Sequence, residues 1–132
     1  MQDSVFTKII KGEIPSYKIY EDKDTFAFLT INPIHPGHVL VVPKQQVDML
    51  WELPDDLYLA VMDTSRKVSQ RIQDVLQPGR VGMHVAGTEV PHAHAHLFPF
   101  QGDGDFWDRP MAEVADEELA AMAARLRMED EL

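Results

Sequence analysis

Residues 91–99 read Pro-His-Ala-His-Ala-His-Leu-Phe-Pro, and three of the chain's six histidines fall within five consecutive positions of this stretch. Side chains two apart share one face of a β-strand, whereas on a helix His92, His94 and His96 would scatter around the axis. The alternation with alanine, the following Leu97 and Phe98, and the prolines at both ends favour a strand over Pro91–Pro99. That strand places three imidazoles together and turns Ala93 and Ala95 toward the core or a partner element. Such a trio can bind a metal, usually as neutral imidazoles. It can also divide nucleophile, acid and base roles, because the reference imidazole pKa of about 6.5 lies close to neutrality. The remaining reading, three ordinary polar residues on a solvent-facing strand, fits the regular spacing and the small alternating partners less well.

Working outward, Arg80–Gly87 reads as the strand before this one, and Tyr17–Glu21, Thr25–Ile31 and His38–Pro43 as three earlier strands. Thr25–Ile31 is aromatic and β-branched, bounded by Asp22-Lys23-Asp24 and by Asn32-Pro33, and Pro36-Gly37 is a turn signal. Val39–Val42 reads as plain core strand. Pro54-Asp55-Asp56 opens a helix with acidic residues suited to its N-terminal dipole, and Gln77-Pro78-Gly79 stops it. Leu57, Val61, Val68, Ile72 and Val75 form its single apolar stripe. After a Gly- and Pro-rich turn over Gln101–Pro110, a terminal helix is predicted over Ala112–Met128, with Leu119, Met122, Ala123 and Leu126 on one side. The order of strands, helix, strands, helix predicts a mostly antiparallel α+β fold. We expect one domain over residues 1–132, with a core at 5–100 and a C-terminal extension carrying the last helix at 101–132.

The composition narrows the function further. A formal net charge of −10 repels a phosphate backbone, so no nucleic acid polymer is expected as partner, although a small phosphorylated ligand remains compatible with a local site. Much of the acidic excess lies in Asp116-Glu117-Glu118 and Glu129-Asp130-Glu131, and reads as solubilising. The chain has no cysteine, which removes disulfides, thiolate metal sites and a cysteine nucleophile, and fits a reducing, cytoplasmic setting. Neither a signal peptide nor a membrane span is expected from the N-terminal residues or from the longest apolar run, Val39–Pro43. There is no Walker-type loop with lysine, which argues against a kinase or motor. Gly102-Asp103-Gly104-Asp105 lacks the full calcium-loop spacing and reads as a turn. Trp51 and Trp107 could rim a base pocket, but packing is the expected role for each.

His92-Ala93-His94-Ala95-His96-Leu97-Phe98 resembles the motif of the histidine-triad (HIT) family, in which histidines alternate with apolar residues before two further apolar positions. Three other segments resemble that family in the same order: Phe6–Pro15 its N-terminal signature, Phe26–Pro33 its nucleoside-binding strand and turn, and Pro36–Pro43 the next strand. The resemblance implies a HIT-like fold, a five-stranded mostly antiparallel sheet with two main helices, and a homodimer. The helix stripe and the strand Arg80–Gly87 are candidate interface elements. It also implies a mechanism in which His94 attacks the α-phosphorus of a nucleotide, forms a nucleotidyl-histidine, and yields a nucleoside monophosphate on hydrolysis. By position, His96 would contact the phosphate and assist proton traffic, as a protonated imidazole where the leaving atom needs a proton. His92 would orient His94, partly through its backbone carbonyl, and His38 would complete the cluster. Phe6, Phe28, Thr30, Ile31, Gly87, Thr88 and Glu89 take the nucleotide-binding positions, with adenosine the expected nucleoside.

Several residues depart from the family pattern. Many relatives carry Cys-x-x-Cys where this chain has Ser4-Val5-Phe6-Thr7, so a structural zinc site built on those thiolates is not expected. Thr30 stands where many have Asp or Asn, Gly87-Thr88-Glu89 where many have Gly-Gln-Ser or Gly-Gln-Thr, and His84 near a position that is often Asn. These differences bear on substrate choice more than on the reaction. No cofactor is expected to be required, although a divalent ion would assist a polyphosphate substrate by screening its charge. Two alternatives to the nucleotide hydrolase or transferase stay open: a zinc metalloprotein using His92, His94 and His96, and a nucleotide-binding regulatory protein with vestigial catalysis.

Overall fold

A computed structural model describes residues 2–107, 110–111 and 113–132. Five strands, β1 (Lys18–Glu21), β2 (Thr25–Leu29), β3 (Val39–Pro43), β4 (Arg80–His84) and β5 (Ala95–Phe100), form one sheet in the order β1-β2-β3-β5-β4, with neighbours antiparallel. Among the described residues three α-helices accompany it: α1 (Val5–Ile10), α2 (Asp55–Leu76) and α3 (Asp116–Leu126). The α+β architecture and the antiparallel five-stranded sheet agree with the sequence reading, with α2 and α3 as the two main helices. No helix among the described residues is long and apolar enough to cross a membrane.

Both faces of the sheet are covered. Toward α2, Ile19, Ala27, Leu29, Val39, Val41 and Leu97 pack with Val61, Val68 and Ile72, while on the opposite face Phe6 of α1 joins Phe26, Phe28, Leu40 and Val42. This double coverage explains why β2 and β3, buried at every position, read as continuous apolar runs and not as alternating ones. The α2 stripe packs into this core, and β4 is an outer strand of the sheet. Gln77 stops α2 in the left-handed region at φ 48°.

The largest difference from the sequence reading lies at the histidine strand. β5 begins at Ala95, not Pro91, and β4 stops at His84, not Gly87. Pro91 has no N–H to donate, the His92 N–H turns back to the Val90 carbonyl at 2.8 Å, and the Ala93 N–H goes to Val47 at 2.7 Å, so this stretch joins no strand ladder. β2 ends at Leu29, short of Ile31, because Thr30 Oγ1 accepts the Asn32 N–H at 3.2 Å and bends the chain. The terminal helix is shorter than predicted, starting at Asp116; Ala112 lies outside the described residues. The six-residue α1 was not anticipated, being too short to show a helical period.

The acidic end of the chain is docked. Met128 N–H donates to the Ile19 carbonyl and Glu131 N–H to Glu21, each at 2.9 Å, so the tail runs along the free edge of β1 with a parallel bridge between Asp22 and Glu131. Asp130 pairs with Lys18 at 2.6 Å, and the Tyr20 hydroxyl donates to Glu131 at 2.7 Å. Burial, and then the hydrogen-bonded carboxylates of Glu131 and Asp22, push the Tyr20 hydroxyl well above the usual phenol range. Reading these residues only as solubilising is therefore corrected: Glu131 and Asp130 cover an edge that would otherwise invite strand pairing. Removing residues 128–132 should cost about 1–3 kcal/mol through the two lost backbone hydrogen bonds. The Tm should fall by roughly 4–12 °C. An unchanged melting temperature would mean that the tail adds nothing to the fold.

Candidate active site

The strand register builds the site. Leu40 of β3, His96 of β5 and His84 of β4 share one rung, and His38, two residues from Leu40, lies diagonally across from His96. Leu40 and Val42 point to the face covered by α1, and the rings of Phe6, His94 and His96 follow one another there, with centroids 4.9 Å apart for Phe6–His94 and 5.0 Å for His94–His96. His92 continues the row, 5.7 Å from Phe6. Ala93 and Ala95 are buried, as expected from the alternation. The common face thus survives although only His96 of the three lies on the strand.

Hydrogen-bond partners assign the tautomers, because a carbonyl can only accept and a backbone N–H can only donate. His92 Nε2–H donates to the Pro43 carbonyl at 2.8 Å, and its Nδ1 accepts from the Ser4 hydroxyl at 2.7 Å. His94 Nδ1–H donates to the His92 carbonyl at 2.8 Å, which leaves the His94 Nε2 lone pair free in the neutral ring. The second series runs the other way. Ile34 N–H donates to His38 Nδ1 at 3.1 Å, and His38 Nε2–H donates to His96 Nδ1 at 2.9 Å, so neutral His96 keeps its proton on Nε2. Two adjacent rings therefore offer opposite functions, an electron pair on His94 and an N–H donor on His96.

Burial keeps the supporting imidazoles neutral. Desolvation, helped by the neighbouring His35 and His84, lowers His38 to about 4. Desolvation, with His38, His94 and His84 around it, lowers His96 to about 3. Burial also lowers His92, against the stabilising Pro43 carbonyl. His96 in this arrangement is a neutral ring whose Nε2–H is the donor, where the sequence reading considered a protonated imidazole.

Of the other residues singled out in the sequence, Phe6 and Phe28 are buried edge to face at 5.6 Å beside His94. Thr30 is half-buried, and its N–H donates to the His38 carbonyl at 3.2 Å, whereas Ile31 is exposed at the rim. Gly87, at φ 75°, adopts a left-handed conformation that side chains disfavour, in the loop where Thr88 and Glu89 stand exposed ahead of the triad. Among the described residues no group of three or more His, Cys, Asp or Glu is disposed to hold a metal. The rings of His92 and His38 are turned to protein partners at both nitrogens.

The structure adds residues that sequence reasoning missed. Trp107 stacks on His84 with centroids 4.0 Å apart and meets His96 edge-on at 5.4 Å, so it lines the site and its assignment to packing is corrected. Gly82 permits this: a Cβ there would lie 2.7 Å from the Phe106 ring, which crosses β4 just before Trp107. Trp51 is also not packed in the core, being 71% exposed beside Tyr58. Ser4, Gln46 and Pro43 enter through their hydrogen bonds to or around His92. Only long-range contacts reveal them, and no local pattern in the sequence does.

Comparison with known proteins agrees with this arrangement. A family model described as HIT domain matches residues 11–102. An uncharacterised HIT-like protein of Borreliella burgdorferi is 38% identical over 112 residues, covering 79% of this chain and 81% of that protein. The adenosine 5'-monophosphoramidase hnt1 of Schizosaccharomyces pombe is 33% identical over 131 residues, covering 92% of this chain and 94% of that protein. The crystal structure of a Hit-like protein from Bartonella henselae superposes with a TM-score of 0.84 at 27% identity, covering 95% of this chain and 94% of that one. With the family model spanning all five strands and relatives aligned over most of their length, the chain belongs to the HIT domain family.

Proposed function

We propose that this chain is a nucleotide hydrolase or transferase that cleaves a nucleoside phosphoramidate, dinucleoside polyphosphate or related conjugate at the α-phosphorus, with His94 as nucleophile. The observation that carries this reading is the opposed pair of rings: His94 held with Nδ1–H on the His92 carbonyl, and His96 held with Nδ1 on His38. The similarity to a yeast adenosine 5'-monophosphoramidase supports the substrate class and an adenosine moiety.

In the first step the His94 Nε2 lone pair forms a bond to phosphorus as the bond to the leaving atom breaks. The departing electron pair goes to that atom, which accepts a hydrogen bond from His96 Nε2–H and takes its proton from solvent. In the second step water attacks the same phosphorus and gives up a proton to solvent, the phosphorus–nitrogen bond breaks, the pair returns to Nε2 to restore neutral His94, and a nucleoside monophosphate leaves. Catalysis of this kind rests on positioning and on stabilising the charge of the transferred group. Phe6, Phe28 and Ile31 would flank the base, Thr30 would contact the sugar, and the Gly87-Thr88-Glu89 loop would bring backbone N–H groups to the phosphate. Trp107 and His84 lie on the His96 side, where the leaving group departs. No step requires a metal. The absence of a thiolate and the small, acidic chain are consistent with action in the cytoplasm on a small molecule.

Rapid-quench mass spectrometry with peptide mapping should find an acid-labile nucleotidyl adduct on His94, and a chiral thiophosphate substrate should react with overall retention. His94→Ala should abolish turnover, whereas His94→Asn should still bind nucleotide. Inversion at phosphorus without any adduct would leave direct attack by water and refute the covalent route.

A homodimer is part of the proposal, with the open edge of β4 as the pairing element. Light scattering at micromolar concentration should give twice the chain mass, and a one-chain mass would remove the dimer. The neutral His38–His96 pair also makes a stability prediction. The unfolded chain takes up these protons near pH 6.5, but the folded chain only near 4 and 3. Their contribution is therefore complete above about pH 6.5 and is lost as pH falls toward the folded values. Melting temperature should decline across that window, and His96→Asn should flatten the decline. An identical slope in wild type and variant would show that His96 is not held neutral.

A further inference from the structure

We infer that Ser4 is a positioning residue for the reaction proposed above: its hydroxyl sets the tautomer and place of His92, and through the His92 carbonyl those of His94. Gln46 acts one step further out, by holding Ser4.

The case begins with hydrogen-bond polarity. His92 is fully buried, and its Nε2 faces the Pro43 carbonyl at 2.8 Å, so the ring proton sits on Nε2. Its Nδ1 must then accept. Ser4 Oγ, 2.7 Å away, has one proton to give and already accepts the Thr7 N–H at 3.0 Å as the cap of α1. Thr7 Oγ1 also approaches Nδ1, at 3.3 Å, but its single proton is directed to Gln46 Oε1 at 2.7 Å. Ser4 is therefore the donor that completes the buried ring, and an unsatisfied ring nitrogen at this depth would be costly.

Gln46 makes the arrangement one-sided. Its Oε1 accepts both the Ser4 N–H at 2.8 Å and the Thr7 hydroxyl, while its NH₂ donates to the Gln2 carbonyl at 2.9 Å. These partners fix the amide orientation, and the amide in turn fixes where α1 begins. The same short helix carries Phe6, whose ring touches Phe28, His92 and His94. One anchor thus positions the aromatic wall and the proposed nucleophile together. With His92 held at both ring nitrogens, its backbone carbonyl is a stationary acceptor for His94 Nδ1–H, which keeps the Nε2 lone pair aimed into the site.

The test separates helix capping from ring polarity. Ser4→Asp keeps an oxygen acceptor for the Thr7 N–H, but its carboxylate offers His92 Nδ1 no proton and favours protonation of that nitrogen. Ser4→Thr keeps both functions, Ser4→Ala loses both, and Gln46→Ala frees the Thr7 hydroxyl. Imidazole nitrogen chemical shifts, read by long-range proton–nitrogen correlation, report the tautomer without any substrate. Turnover of a fluorogenic adenosine phosphoramidate reports kcat and KM, and thermal melts report the fold.

In wild type and Ser4→Thr, His92 Nδ1 should resonate as an unprotonated nitrogen, and Ser4→Thr should recover most of the turnover lost in Ser4→Ala. In Ser4→Asp the nitrogen should become protonated and kcat should fall roughly tenfold or more, with KM within about twofold and the melting temperature kept near wild type. Gln46→Ala should lower kcat in the same direction by less. An unprotonated Nδ1 in Ser4→Asp, or losses of kcat that merely track the melting temperature across the series, would overturn the inference. If the wild type turns over no phosphoramidate, that substrate class is refuted, while the nitrogen shifts still decide whether Ser4 sets His92.

Discussion

The Pro43 carbonyl is the acceptor around which the reactive end of the sheet is organised. β3 ends at this proline, the β3–β5 ladder closes at Val41 opposite Ala95, and the carbonyl that could have carried the pairing further is taken by a side chain, His92 Nε2–H. Because His92 lies before β5 begins, its own carbonyl is not committed to a strand ladder and receives His94 Nδ1–H. A terminated strand thus supplies what an intact one could not, a buried backbone acceptor pointing at a ring two residues along. The short distances at both nitrogens of His92 leave that ring little freedom, and the stillness of the next ring follows from it.

The two series of hydrogen bonds have opposite polarity because they start from opposite backbone groups. One ends on the Pro43 carbonyl, which can only accept, and the other starts from the Ile34 N–H, which can only donate. Side-chain imidazoles carry these polarities a few ångströms into the site and present them as an electron pair on His94 and a proton on His96. Burial reinforces the scheme by keeping His38 and His96 neutral, since a second ring proton on either would face the N–H of its neighbour. In the proposed reaction an arriving phosphate would bring negative charge next to His96 and oppose the desolvation that lowers it.

Much of this could be read before any coordinates. The apolar stripe of α2 and the grouping of His92, His94 and His96 follow from local periodicity, which is what a single sequence displays, whereas the antiparallel sheet follows from the short connections and the family resemblance. The boundaries were less readable. Pro91 marks where the extended segment starts, but only the distant Val47 carbonyl and the end of β4 decide that pairing begins at Ala95. α1 has too few residues to show a period, and its cap, Ser4, looks unremarkable without the ring 88 positions away. The tail Glu129–Glu131 has the composition of a solvated end, yet Lys18, Tyr20 and Lys67 are arranged to receive it. Composition reports charge, but not what lies opposite it.

His84 and Trp107 show the same limit and what it means for specificity. Each is ambiguous in isolation, and Trp107 sits in a segment rich in glycine and proline that carries no period at all. Their stacking depends on the missing side chain at Gly82, which lets Phe106 lie across β4 and delivers the indole beside His96. One side of the triad is built from buried rings, Phe6 and Phe28, whose positions are locked by α1 and the sheet. The opposite side is built from a half-exposed indole at the end of a loop. For the proposed reaction, a rigid wall on one side and an adjustable one on the other would hold the nucleoside closely and tolerate variation in the leaving group. In that proposal the chemistry is tied to the sheet, and the choice of leaving group to the loop that carries Trp107.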